Sequence, residues 1–169
     1  MTVHWNRICC AVELDAPSRT AMEHAADLAR RFEADLVLVH ALPAIPRAAS
    51  DVLVASRGVA AVEADEAIER LERWRREAER RSGRPVEARV VRGDPAARIV
   101  RLVEDLHCDL AVLGTHGRRG LSRLFAGSVA ERVARLCERP VLVVRAAEDE
   151  GFAPGSRAPR LKARRGGTP

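Results

Sequence analysis

The feature that most narrows what this chain can fold into is a regular alternation. Short apolar runs recur along it, separated by longer segments whose apolar residues repeat with helical spacing. Ile8 to Val12, Asp35 to Leu42, Val86 to Val91, Leu110 to Leu113 and Val141 to Val144 read as strands. Runs that are apolar at nearly every position suit strands buried on both faces, as in a parallel sheet covered by helices. Pro17 and Ser18 open a first helix, whose Ala21, Ala25, Leu28, Ala29 and Phe32 share a face. Residues 43–58, with Pro43 and Pro46 at their start, read as a loop. A long charged helix then runs from roughly Val59 to Arg81, with Ile68, Leu71, Trp74 and Ala78 as its apolar stripe. Asp94-Pro95 is a capping acid followed by proline in the first turn, so a third helix starts there and turns Ile99, Leu102, Val103 and Leu106 inward. A fourth helix passes through Val129, Val133 and Leu136. The order β-α-β-α-β-α-β-α-β predicts an α/β fold, a three-layer α/β/α arrangement around a five-stranded parallel sheet.

At 169 residues a single domain is expected, covering residues 1–146. Beyond it, residues 147–169 lose all periodicity, and from Gly151 on Gly, Pro, Ser and Arg dominate, so this tail reads as disordered. The chain's net charge of +5 belongs to this tail: Arg157, Arg160, Lys162, Arg164 and Arg165 stand in 151–169 without an acid, and the first 150 residues sum to zero. Nucleic-acid binding is therefore not expected of the folded part, only conceivable through the tail. No apolar run reaches membrane-spanning length, and the opening residues lack the basic start and apolar core of a signal peptide, so the expected compartment is the cytoplasm. Cys9, Cys10, Cys108 and Cys137 show neither C-x-x-C nor zinc-ligand spacing and read as packing residues. Adjacent in a strand, Cys9 and Cys10 should point to opposite faces of the sheet.

In an open parallel sheet, ligands sit beyond the carboxyl ends of the strands, near the point where strand order reverses. Three such ends carry suggestive residues: Glu13 and Asp15 after the first strand, His40-Ala41 at the second, Gly114 at the fourth. Asp15 is read as the cap of the first helix, while Glu13 is open between a loop carboxylate and a ligand group. His40, inside an apolar run, is read as a hydrogen-bonded core residue rather than a base. After the fourth strand comes Gly114-x2-Gly117-x9-Gly127-Ser128. Glycines let backbone N–H groups approach a ligand closely, and a helix start adds its dipole, which together favour an anion. Ser128 also begins a capping box with Glu131, a sufficient structural reason for it. Neither G-x-x-x-x-G-K-[S/T] nor G-x-G-x-x-G occurs, which excludes a Walker loop and a dinucleotide fingerprint. The loop holds no lysine; Arg118, Arg119, Arg123 and His116 are its candidate cationic or donor side chains. No Ser/His/Asp or Cys/His constellation has motif support, so no catalytic residue is assigned.

The run Gly114-Thr115-His116-Gly117-Arg118, the nine-residue gap to Gly127-Ser128-Val129-Ala130-Glu131-Arg132, and Pro140 to Val144 resemble the universal stress protein family, in its ATP-binding branch. The opening strand and helix, and Arg92-Gly93-Asp94-Pro95, are similar to that family too, so the resemblance covers roughly residues 4–146. It implies an adenine nucleotide alpha hydrolase-like fold that binds ATP, with Mg²⁺. Gly114, Gly117, Gly127 and Ser128 would form the phosphate and ribose cradle. Thr115, His116, Arg118 and Val129 would line the same site, and adenine would lie near Ala11 and Ala41. The family's usual Asp after the first strand falls on Glu13, which keeps the charge but adds a methylene. The resemblance further implies a homodimer paired through Val141 to Val144, and a stress-response role in which any hydrolysis is slow. The alternative is a nucleotide-free dimeric interaction module of the same fold.

Overall fold

The computed structural model describes residues 4–44, 50–115 and 129–145, the side chains of 50–57 excepted. Its elements are β1 (Arg7–Ala11), α1 (Ala16–Phe32), β2 (Asp35–Leu42), α2 (Ser50–Ser82), β3 (Val86–Arg92), α3 (Pro95–Asp105), β4 (Leu110–Thr115), α4 (Val129–Leu136) and β5 (Val141–Arg145). All five strands are parallel and lie in the order β3-β2-β1-β4-β5. The expected α/β/α sandwich is therefore present. Continuous apolarity in β1, β2 and β4 reflects burial on both faces, since alternate residues enter two separate cores.

On one face Ile8, Cys10, Leu36, Leu38 and Val112 pack against Ala21, Met22 and Ala25 of α1 and Leu71 and Ala78 of α2. On the other, Cys9, Val37, Val39, Ala111 and Leu113 meet Ile99 and Val103 of α3 and Val133 of α4. Cys9 and Cys10 thus lie on opposite faces, both fully buried. Burial pushes the Cys10 thiol up to about 12, so it stays protonated as a packing group.

The first helix begins where expected, with the Asp15 carboxylate accepting the Ser18 N–H, and it ends on Glu33 in the left-handed region (φ 56°). Two readings of the second helix need correction. Residues 50–58 are helical rather than loop, so α2 is 33 residues long. The Val-Leu-Val run at 52–54 and Gly58 carry weak helix propensity, but adding turns to a helix already nucleated downstream costs little. Its inward stripe is Ala67, Leu71, Trp74 and Ala78, and Ile68 is 47% exposed. Spacings of four, three and four residues keep that stripe on one line, whereas Ile68 lies about a quarter of a turn away. In α4 Ala130 and Val133 face the core, while Leu136, with which the helix ends, is 54% exposed.

Candidate functional site

The chain leaves β1 toward β2 and β3 on one side, and the later strands β4 and β5 lie on the other, so the order reverses at the β1–β4 boundary. Beyond the carboxyl ends of these strands, on the α3–α4 face, lies a cavity of about 170 Å³. Its floor is Ala11, Val39, Ala41 and Leu113, its far wall Pro95 and Ile99 of α3 with Val129 and Ala130 of α4. Space exists there because alanines stand at the end of β1 and one residue before the end of β2: in register Ala11 lies between Val39 and Leu113, and Ala41 lies two residues beyond Val39.

The remaining wall is the turn from β1 into α1. Glu13 is exposed at the cavity, and its N–H donates to Ser18 Oγ at 2.8 Å. Ser18, almost wholly buried, donates from its hydroxyl to Asp15 Oδ1 at 2.6 Å and from its N–H to the same oxygen at 2.9 Å. Asp15 is thus the helix cap that the sequence indicated. Ser18 lines the cavity too, which the sequence did not reveal, because a serine after proline at a helix start already has a structural explanation. Between them Leu14 is buried with φ 61°. The Val12 carbonyl accepts from His40 Nδ1 at 2.8 Å, and the Leu14 carbonyl from Arg70 Nη2 at 2.9 Å. His40 is a half-buried structural donor, as expected.

Gly114 has a packing reason of its own. A Cβ built on it would come within 2.6 Å of the Pro17 carbonyl oxygen and 3.0 Å of the Ser18 nitrogen, so the first turn of α1 rests directly on the β4 backbone. β4 continues past Gly114 to Thr115, which pairs with Arg145 and does not line the cavity. The structure therefore brings Ala11, Glu13, Ala41, Gly114 and Val129 to one cavity and leaves Thr115 beside it. His116, Gly117, Arg118, Gly127 and Ser128, with Arg119 and Arg123, lie outside the described residues.

Asp94 joins the two helices of the far wall. It caps α3 by accepting from the Ala97 N–H at 2.9 Å, and both its oxygens receive the Arg132 guanidinium at 2.8 Å. The Arg132 fork, then the Ala97 N–H, hold its carboxyl below the usual carboxylate range. Among the described residues no group of three or more His, Cys, Asp or Glu is placed to hold a metal.

Strand order and the cavity together define a doubly wound parallel α/β protein with a cavity at its switch point, the place where ligands sit in open sheets of this class. The profile of the Universal stress protein family matches residues 4–145, and the chain belongs to that family. A universal stress protein of Methanocaldococcus jannaschii, MJ0531, is 32% identical over 133 residues, covering 79% of this chain and 78% of its own. Among solved structures, the universal stress protein UspA from Lactobacillus plantarum superposes with a TM-score of 0.75 at 19% identity, covering 85% of this chain and 100% of its own. A universal stress protein in complex with cAMP gives 0.64 at 22% identity, covering 86% and 100%. One from Archaeoglobus fulgidus in complex with dAMP gives 0.58 at 20%, covering 85% and 99%.

Proposed function

We propose that this protein binds an adenine nucleotide, ATP with Mg²⁺, and that nucleotide occupancy rather than turnover is its signal in a cytoplasmic stress response. One observation carries the reading: the small-walled cavity at the switch point, opening where β4 enters the Gly114 to Ser128 segment. A cavity of about 150 Å³ holds a single aromatic ring, so about 170 Å³ suits a base and leaves the phosphates outside it. Apolar Val39, Ile99 and Leu113 would pack on the base, and the alanines Ala11 and Ala41 leave room for it. Glu13 stands at the rim, where its carboxylate would meet ribose hydroxyls or a phosphate-bound cation. The phosphates would fall to Gly114 and, from the sequence pattern, to Thr115, His116, Gly117, Arg118, Gly127 and Ser128, with Val129 beside them. Mg²⁺ is commonly held by substrate phosphates plus one or two carboxylates, a role that Glu13 at the rim could fill. The cAMP and dAMP complexes of structural neighbours lend support to an adenine ligand.

The test is calorimetric titration of the full chain with ATP–Mg²⁺, beside analysis of nucleotide released from a freshly denatured preparation. Saturable binding is expected; none at millimolar ATP overturns the reading. Gly127→Val should abolish binding and leave the helical circular dichroism unchanged.

A nucleotide-free interaction module of the same fold is the second reading, and a specific observation favours it. Gly114 is demanded by the packing of α1 on β4, so this glycine does not by itself point to a phosphate. In both readings the partner is a second copy joined through β5, whose Leu142 and Val143 are exposed on an edge strand.

A further inference from the structure

We infer that Arg70 of α2 is a positioning residue for the nucleotide site, acting through Leu14 on Glu13; this rests on the adenine-nucleotide reading above. Among the described residues none of the cavity lining comes from α2, which packs on the opposite face of the sheet. Yet Arg70 of α2 reaches the β1–α1 turn that carries Glu13, through the hydrogen bond from its Nη2 to the Leu14 carbonyl at 2.9 Å.

That carbonyl belongs to a residue in an unusual state. Leu14 is left-handed (φ 61°) with its side chain buried against the α1–α2 core, a combination that leucine adopts only when its surroundings impose it. The left-handed step swings the chain out of β1 and presents Glu13 to the cavity. On its two sides the turn is held by elements of the site itself: His40 on the Val12 carbonyl, Ser18 on the Glu13 N–H, Asp15 on Ser18. The middle of the turn is held from outside, by Arg70. A guanidinium suits this task because it stays charged and donates in a fixed plane, so it holds the carbonyl in one orientation as an exchanging water would not.

The consequence is a link between α2 and nucleotide affinity. Residues beyond the turn, such as Arg92, also tie α2 to the strand ends, donating to the Ala60 carbonyl at 3.0 Å and to Glu63 at 3.1 Å. A shift of α2 that lengthens the Arg70 bond would free Leu14 to leave its left-handed state and let Glu13 turn from the cavity.

The experiment compares wild type, Arg70→Met and Arg70→Lys in the full chain. Amide hydrogen exchange at Glu13, Leu14 and Asp15 reads the turn without any ligand, and titration with ATP–Mg²⁺ and with inorganic tripolyphosphate separates the Glu13 side of the site from the phosphate side. Arg70→Met should speed exchange at these amides at least tenfold with β1 and β4 unaffected, and weaken ATP at least fivefold with tripolyphosphate unchanged. Arg70→Lys, which keeps one donor, should recover part of both effects. Unchanged exchange in Arg70→Met overturns the positioning role. Faster exchange with ATP affinity intact, or with ATP and tripolyphosphate weakened alike, overturns the link to Glu13. A wild type that binds no ATP while Arg70→Met still loosens the turn overturns the nucleotide reading alone, and Arg70 stands as the residue that holds Leu14.

Discussion

At the scale of single residues, Gly114 shows how one position serves two arguments. Its place at the head of a glycine pattern suggests an anion, and its backbone borders the cavity. Its missing Cβ, however, is explained by Pro17, whose carbonyl occupies that space. Gly114→Ala must push the first turn of α1 off β4, which should cost about 1–3 kcal/mol, the usual range for overpacking. Thermal unfolding without nucleotide would show it as a lowered Tm, about 2–4 °C for each kcal/mol in a domain of this size. An unchanged Tm would return Gly114 to a purely ligand-facing role. Such a contact is invisible in sequence, because Gly114 and Pro17 are far apart in the chain and meet only when α1 crosses the sheet. Glu13 and Asp15 divide differently. The cap at Asp15 was legible, being set by its immediate neighbours. The place of Glu13 at the cavity depends on β2, α1 and α2 acting through His40, Ser18 and Arg70.

At the scale of elements, the far wall of the cavity depends on α3 and α4 staying together, and Asp94 is their shared partner. Its carboxyl lies below its usual value of 3.8 because the charged form is bound by Arg132 and the Ala97 N–H. A carboxyl depressed on folding adds stability that is fully present above its unfolded value and is lost as pH falls through the folded one. Asp27, held by Arg81, and Asp109, which accepts from the Asn6 and Arg7 N–H groups despite its burial, are depressed in the same sense. Stability should therefore decline as pH drops below about 4. Asp94→Asn, which keeps a capping oxygen but loses the charge, should be less stable at pH 7 and show a shallower decline, as measured by urea unfolding across pH 7 to 3. Equal slopes would remove Asp94 from the account. The capping half of this role was readable from Asp94-Pro95. The Arg132 half was not, since it needs α4 laid beside α3. The exposure of Ile68 and Leu136 has a similar origin: periodicity marks a face of a helix, and its neighbours select which part of that face is covered.

At the scale of the whole molecule, β5 is an edge of the sheet among the described residues, with one row of backbone donors and acceptors facing away from β4. Leu142 is 36% and Val143 39% exposed beside it. An apolar edge strand left unpaired is a template for association, and symmetric pairing with a second copy would close it. Sedimentation should find a dimer, and Val143→Lys should shift it to monomer with the far-ultraviolet spectrum retained. A wild type that is monomeric at every concentration would discard the pairing.

The sequence alone determined what depends on neighbours along the chain. Strand and helix alternation, the caps at Asp15 and Asp94, the opposite faces of Cys9 and Cys10 and the α/β class all follow from local periodicity and local hydrogen bonding, which a linear code carries directly. Family membership was legible for a related reason, since its glycine pattern and flanking runs stand at fixed spacings. Tertiary structure alone decided where the cavity lies, that Ser18 lines it, that Gly114 must lack a side chain for the sake of Pro17, and that Arg70 holds Leu14 in a left-handed turn. Each of these joins residues from different elements. Such pairings are fixed by how helices settle on a twisted sheet, and the spacing of residues within any one element does not encode them.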